Sequence, residues 1–296
     1  MQIKKLKQGD FIGIVCPSHI ADAARHQRNI STLERLGFRV KLGANVYRDT
    51  YGYLASERER ADDFNAMISD DSVKMVLFGG GEGGGEVLPY LDYESMKAHP
   101  KLICSFSDGT TILNAIHAKT GIPTYYGQGP GMFFDLRHYD YCQFSARFID
   151  GNASKFVQNS SWETLFPGAC EGTLIGGYLR NFAMIFGNNY FSYDKSKKYL
   201  LFLEDHEKLN NVAAVSSFIS HIEQTDFIGN VAGLIFGHYS ETRVPDLLSR
   251  LVRFGEKHSV PVVYTDDFGH GVNHAIFPIG ARARLDSSAQ QLYFLD

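Results

Sequence analysis

The chain contains no long apolar run. No segment approaches the roughly 18 continuous apolar residues of a membrane span, so none is expected. Paired cysteines are missing as well. The four present, Cys16, Cys104, Cys142 and Cys170, are scattered, with no two at metal or redox spacing. Cys16 and Cys104 sit in strand-like runs and read as small buried apolar groups. There is no basic excess either. Lys and Arg number 29 against 33 Asp and Glu, a net charge of -4, which excludes the electropositive footprint of a nucleic-acid or anionic-membrane binder. The start, MQIKKLKQGD, is basic, but the apolar run behind it, Phe11 to Cys16, is too short for a signal-peptide core. A cytoplasmic location is the default expectation. Neither H-E-x-x-H nor a P-loop occurs.

What is present is a globular composition. Hydrophobic residues make up 44% and charged residues 21% of 296, enough chain for one large domain or two ordinary ones. Strand and helix patterns alternate through the first half. FIGIVCP, VKMVLF (73–78), LICSF and PTYYG (123–127) read as strands. Helical spacing runs from about Ile20 to Leu36, over Ser56–Asp70 with a Ser56/Glu59 capping box, and from about Thr110 to Thr120. Such alternation predicts a parallel α/β sheet. Residues 150–170 are rich in Gly, Asn, Ser and Pro and read as a linker. Beyond it, GTLIGGYL, YLLFLED, VAGLIFG and PVVYTDD read as strands, with helices near 210–223 and 245–257 and β structure at the tail.

Two stretches bear on chemistry. FGGGEGGGE, 78–86, follows a strand directly. With six glycines in seven positions a G-x-G-x-x-G match is nearly unavoidable, and Glu82 and Glu86 would repel a phosphate. Such a loop is either a flexible turn or a place where backbone N–H groups approach a substrate and stabilise an oxyanion. The second stretch is SFSDG. Ser107 stands between a strand and a helix, with small Ser105 two residues before and Gly109 two after, as in a nucleophile elbow. A Ser-Asp pair there also serves as an ordinary helix cap. A nucleophilic serine needs a base and the base an orienter. His270 and Glu204 each follow a strand at its C-terminal end, where sites of parallel sheets collect. Two other classes remain open at this point. Glu204, Asp205, His206, Asp266, Asp267, His270 and His274 could form a metal site, or the chain could bind a ligand without turning it over.

The ordered set of motifs resembles a family: the LD-carboxypeptidases of serine peptidase group S66, including the microcin C self-immunity peptidases. The resemblance runs nearly end to end. It lies in YLASERERADDFNAMISDDSVKMVLFGGG near 53–81, VLPYLDYE at 87–94 and PKLICSFSDGTTILNAIHAKTGIPTYYGQGP at 100–130. It continues in GTLIGGYL at 172–179, LFLED at 201–205 and FGHGVNHAIFPIGARARLD at 268–286. It implies Ser107 as nucleophile, Glu204 as acid and His270 as base, with Pro278 and Gly280 completing the last motif. It also implies that the N–H groups of Gly81 and Asp108 form an oxyanion hole.

The family architecture implies a flavodoxin-like parallel-sheet N-terminal domain (1–150) carrying the elbow. A linker (151–169) would lead to a smaller mixed α/β, β-rich C-terminal domain (170–296) carrying Glu204 and His270. The implied activity releases the terminal D-amino acid from murein tetrapeptides. The alternative is hydrolysis of a peptidyl- or aminoacyl-nucleotide, as in self-immunity. The implied partner is a small peptide or peptidyl-nucleotide substrate, with no cofactor, no metal, no nucleic acid and no membrane, and with homodimers usual. Three stretches depart from the family pattern. The loop reads Gly79-Gly80-Gly81-Glu82-Gly83 in place of Arg-Gly-Gly-Tyr-Gly, Ser105 replaces a glycine, and Tyr178 ends what is elsewhere G-G-N. A glutamate at 82 disfavours a nearby substrate carboxylate unless a cation intervenes.

Overall fold

A computed structural model describes residues 3–151 and 153–295. Met1, Gln2, Asn152 and Asp296, which fall in the expected 1–150, 151–169 and 170–296 segments, lie outside the described residues. Five strands form a parallel sheet: β1 (Phe11–Val15), β2 (Arg39–Leu42), β3 (Val73–Phe78), β4 (Leu102–Ser105) and β5 (Thr124–Tyr126). Their order, β2-β1-β3-β4-β5, is the flavodoxin-like order. The helices between them are α1 (Ala23–Arg35), α2 (Glu57–Ser69), α3 (Tyr93–Ala98) and α4 (Gly109–Thr120). β3 is apolar at nearly every position because helices cover both faces of such a sheet, and all its residues but Lys74 are buried.

Local chemistry sets the helix ends. Ser56 accepts from Glu59 N at 3.3 Å, and the Glu59 carboxylate accepts from Ser56 N at 2.9 Å, completing the capping box of α2. α1 begins at Ala23, later than the expected Ile20, because Asp22 is its cap and accepts from Arg25 N at 2.7 Å.

The second half follows α5 (His138–Phe144) and a π-helical turn, Ser145–Asp150. It comprises β6 (Glu163–Phe166), β7 (Ala169–Tyr178), α6 (Leu179–Met184), β8 (Tyr199–Glu204), α7 (Val212–Glu223), β9 (Val231–His238), α8 (Pro245–His258), β10 (Val262–Gly269), β11 (Phe277–Ile279), β12 (Arg282–Asp286) and β13 (Gln291–Phe294). Its sheet runs β13-β12-β7-β8-β9-β10-β6, parallel from β7 to β10 and antiparallel at both edges.

Two placements differ from the sequence expectation. β6 lies within the stretch read as a linker and edges the second sheet against β10. β11, near the C-terminus, crosses back to pair antiparallel with β5, Phe277 opposite Tyr126. The cores meet there. Phe277 stacks on Phe202 of β8 with centroids 4.7 Å apart, and one buried cluster runs from Val76 and Ile103 through Tyr126 to Phe202 and Ile235. Truncating a wholly buried phenylalanine such as Phe202 costs about 3–5 kcal/mol. Among the described residues no helix is long and apolar enough to cross a membrane.

Candidate active site

β4 ends at Ser105 and α4 begins at Gly109, so Ser107 occupies the corner between them. Its φ is +58°, the left-handed region that a non-glycine residue seldom enters and that collects at functional sites. Gly109 must be glycine, since a Cβ there would lie 2.0 Å from Ser105 Oγ. Ser105 is fully buried and donates to Phe78 O at 2.9 Å, so it faces the sheet. Asp108 does not cap α4 with its side chain. Its carboxylate accepts from Gly84 N at 2.7 Å and from Asn181 Nδ2 at 2.5 Å, pinning the glycine loop and α6 to the corner.

His270 follows β10 directly. Its Nε2 lies 2.9 Å from Ser107 Oγ and its Nδ1 lies 2.9 Å from Glu204 Oε2. Ser107 donates along this line when Nδ1 carries the ring proton and Nε2 accepts. Glu204, the last residue of β8, is fully buried, and its Oε1 accepts from Tyr126 OH at 2.5 Å. The same hydroxyl accepts from Ser107 N at 3.2 Å. Tyr126 therefore ties the acid to the backbone of the serine. Sequence reasoning did not single it out, because it reads as one more strand residue in PTYYG. Burial and the adjacent Glu204 charge push its hydroxyl well above the ordinary tyrosine value, so it remains a donor.

Burial acts to lower the His270 pKa, but Glu204, by charge and hydrogen bond, and Asp205 outweigh it and hold the imidazole above the ordinary histidine value. The rings of Phe106 and Tyr178 flank it, with centroids at 4.6 and 5.1 Å. Tyr178 thus supports the His270 ring: its N donates to Thr110 Oγ1 at 2.8 Å and its hydroxyl accepts from Asn210 Nδ2 at 2.9 Å. Asn210 also donates to Asp205, whose carboxyl is pushed up to about 7 by burial beside Glu204.

The glycine loop closes the other side. A Cβ on Gly80 would fall 2.5 Å from Ser107 Cβ, so only glycine fits against the serine. Gly81 has φ +147°, and a Cβ on it would lie 2.1 Å from Ser18 O, which already accepts from Glu82 N at 2.8 Å. A cation does meet Glu82: Arg180 Nη2 donates to both carboxylate oxygens at 2.6 and 2.7 Å. Two cavities are lined by the chain neighbours of Ser107, Phe106 and Asp108. One, of about 380 Å³, is lined by Gly80, Phe106, Phe134 and Arg137. The other, of about 540 Å³, is lined by Glu82, Asp108, Arg180 and Asn181.

The acidic and histidine residues that could have formed a metal site are dispersed to other partners. Asp205 accepts from His206 N, Asp266 pairs with His238 at 2.7 Å, Asp267 accepts from Trp162 Nε1 at 2.7 Å, and His274 pairs with Asp140 at 2.9 Å. Among the described residues the one cluster with metal-ligating geometry is elsewhere, at Cys16, His19 and His26.

Comparison with known proteins places the chain in a family. The LD-carboxypeptidase N-terminal domain family matches residues 12–127 and the LD-carboxypeptidase C-terminal domain family residues 171–285. A putative carboxypeptidase of Treponema pallidum is 30% identical over 95% of this chain and 91% of its own length. A probable murein peptide carboxypeptidase of Bacillus subtilis is 34% identical over 68% of this chain and 64% of its own. The crystal structure of an MccF-like protein from Bacillus anthracis superposes with a TM-score of 0.88 at 25% identity, covering 100% of this chain and 99% of that one. Matched in both domains and along nearly its whole length, the chain belongs to the S66 peptidase family of LD-carboxypeptidases and MccF-type microcin immunity proteins.

Proposed function

We propose that the protein is a serine-type amide hydrolase that releases the terminal D-amino acid from murein tetrapeptides. The observation that carries this reading is the unbroken line Ser107 Oγ–His270–Glu204, 2.9 Å at each step, with the serine in a left-handed corner. His270 Nε2 takes the Ser107 proton as Oγ attacks the scissile carbonyl. The N–H groups of Gly81 and Asp108 hold the oxyanion, helped by the N-terminus of α4. Collapse of the tetrahedral adduct passes that proton to the leaving amine. Water, deprotonated by the same nitrogen, then hydrolyses the acyl-enzyme. Glu204 holds the ring and stabilises its charged form. Arg180 supplies a cation for a terminal carboxylate.

A second reading rests on Glu82. Because Glu82 already occupies Arg180, a substrate carboxylate must displace it, whereas an aminoacyl-nucleotide need not. A hydrolysis screen separates the two: a tetrapeptide ending in D-Ala against aminoacyl-sulfamoyl-adenosine. Turnover of neither, with Ser107 unreactive toward serine-directed reagents, would leave a binding protein.

The acid–base set is complete without a metal, so chelator should leave kcat unchanged. Complete loss in chelator with recovery on added zinc would move the chemistry to a metal. The two cavities beside the serine corner, of about 380 and 540 Å³, are sized for a small substrate, so unfolded casein should remain uncut at internal bonds. Efficient casein cleavage would contradict a carboxypeptidase.

A further inference from the structure

The turn between β1 and α1 carries an unused set of ligating groups. Cys16 and His19 lie in the turn and His26 in the first turn of α1, and one ligand atom from each lies within 4.8 Å of the other two. Cys16 Sγ and His19 Nε2 are 3.5 Å apart. Two ligands on one tetrahedral zinc, with Zn–S and Zn–N bonds of about 2.3 and 2.0 Å, stand about 3.5 Å from each other.

The protonation states suit a soft cation. Burial, with His26 adding to it, lowers the His19 pKa to about 4 against a backbone hydrogen bond to Gly80, and burial lowers that of His26 as well, so the neutral, ligating form of each ring is favoured. The Cys16 thiol, pushed up to about 12 by burial and then by Asp63, is inert until a metal displaces its proton. Asp22 and Asp63 face the cluster with favourable charge, and Arg25 opposes them. His19 is only partly buried, which leaves an approach from solvent.

We propose that Cys16, His19 and His26 bind one zinc-class cation, with solvent at the fourth position, as a structural clamp joining the turn after β1 to α1. The cation takes no part in hydrolysis. Binding forms one metal–sulfur and two metal–nitrogen bonds and releases the Cys16 proton to solvent. The clamp sits directly behind the glycine loop. His19 packs on Gly79, where a Cβ would lie 3.0 Å from its Cε1, Ser18 O receives Glu82 N, and Pro17 O receives Arg60 Nη1 at 2.5 Å.

Cobalt(II) titration of the reduced full chain tests this. One equivalent should bind with a thiolate-to-cobalt charge-transfer band and the intense visible bands of a tetrahedral site, and zinc should abolish both. Zinc should also raise Tm by binding the folded state. Cys16→Ser should lose the charge-transfer band, His26→Gln and His19→Gln should each weaken cobalt binding about tenfold or more, and Cys170→Ser should bind as the parent does. Hydrolysis by each variant reports that it has folded. If Cys16→Ser fails to fold, loss of affinity in the two histidine variants still carries the assignment. Absence of the bands in the parent, or bands that survive in Cys16→Ser, would overturn it.

Discussion

Ser107→Ala should lower single-turnover hydrolysis roughly 10³-fold or more while calorimetric substrate affinity stays near that of the parent, and Ser105→Ala should keep most of its activity. The contrast follows from where the two hydroxyls lie. Ser107 Oγ faces His270 Nε2 at 2.9 Å, whereas Ser105 Oγ is spent on Phe78 O, and its loss removes one neutral hydrogen bond worth about 1 kcal/mol of stability. His270→Ala should cost a factor similar to Ser107→Ala, and the double variant little more, because the two act as a unit. A dead Ser105→Ala beside a fully active Ser107→Ala would refute the corner assignment and everything built on it.

Glu204→Gln should reduce kcat less than Ser107→Ala does, and should also move the acid limb of kcat/KM to lower pH. The sign follows from the opposing influences on His270. Burial lowers its pKa, while Glu204 raises it by charge and hydrogen bond, with Asp205 adding to the rise. A histidine base works only when neutral, so in the parent kcat/KM should climb as pH rises through a value raised above that of a free histidine. Removing the Glu204 charge leaves burial dominant, and the limb falls. Tyr126→Phe withdraws a donor from the buried carboxylate and an acceptor from Ser107 N. Losing a hydrogen bond to a charged group costs about 1.5–3 kcal/mol, so kcat should drop by about tenfold or more with KM little changed. An unshifted acid limb in Glu204→Gln would separate Glu204 from the base. Unchanged kcat in Tyr126→Phe would reduce that tyrosine to packing.

Local patterns were the readable part of this chain. β3 could be read because a strand buried on both faces is nearly all apolar, and α2 because a capping box is a short-range signal. The Ser107 corner was readable for the same reason: its small neighbours at two before and two after are adjacent in the chain. Flavodoxin-like strand order came with the family resemblance and not from periodicity. Contacts set by tertiary register were not readable. Tyr126 meets Glu204 across 78 positions, and β11 meets β5 across the whole second half. The reading of Cys16 as a buried thiol holds, but its nearness to His19 and His26 was not readable, because the turn after β1 sets it. β6 was hidden because four residues of strand cannot outweigh the turn-rich stretch around them.

The return of Phe277–Ile279 to the edge of the first sheet orders events during synthesis. β1 to β5 emerge from the ribosome with β5 as an open edge, and that edge stays unpaired until residues 277–279, about 150 positions later, are made. Pairing of such high sequence separation is slow, and an exposed edge invites pairing between nascent chains. A fragment ending before residue 277 should therefore be aggregation-prone, and adding residues 277–295 in trans should relieve that defect.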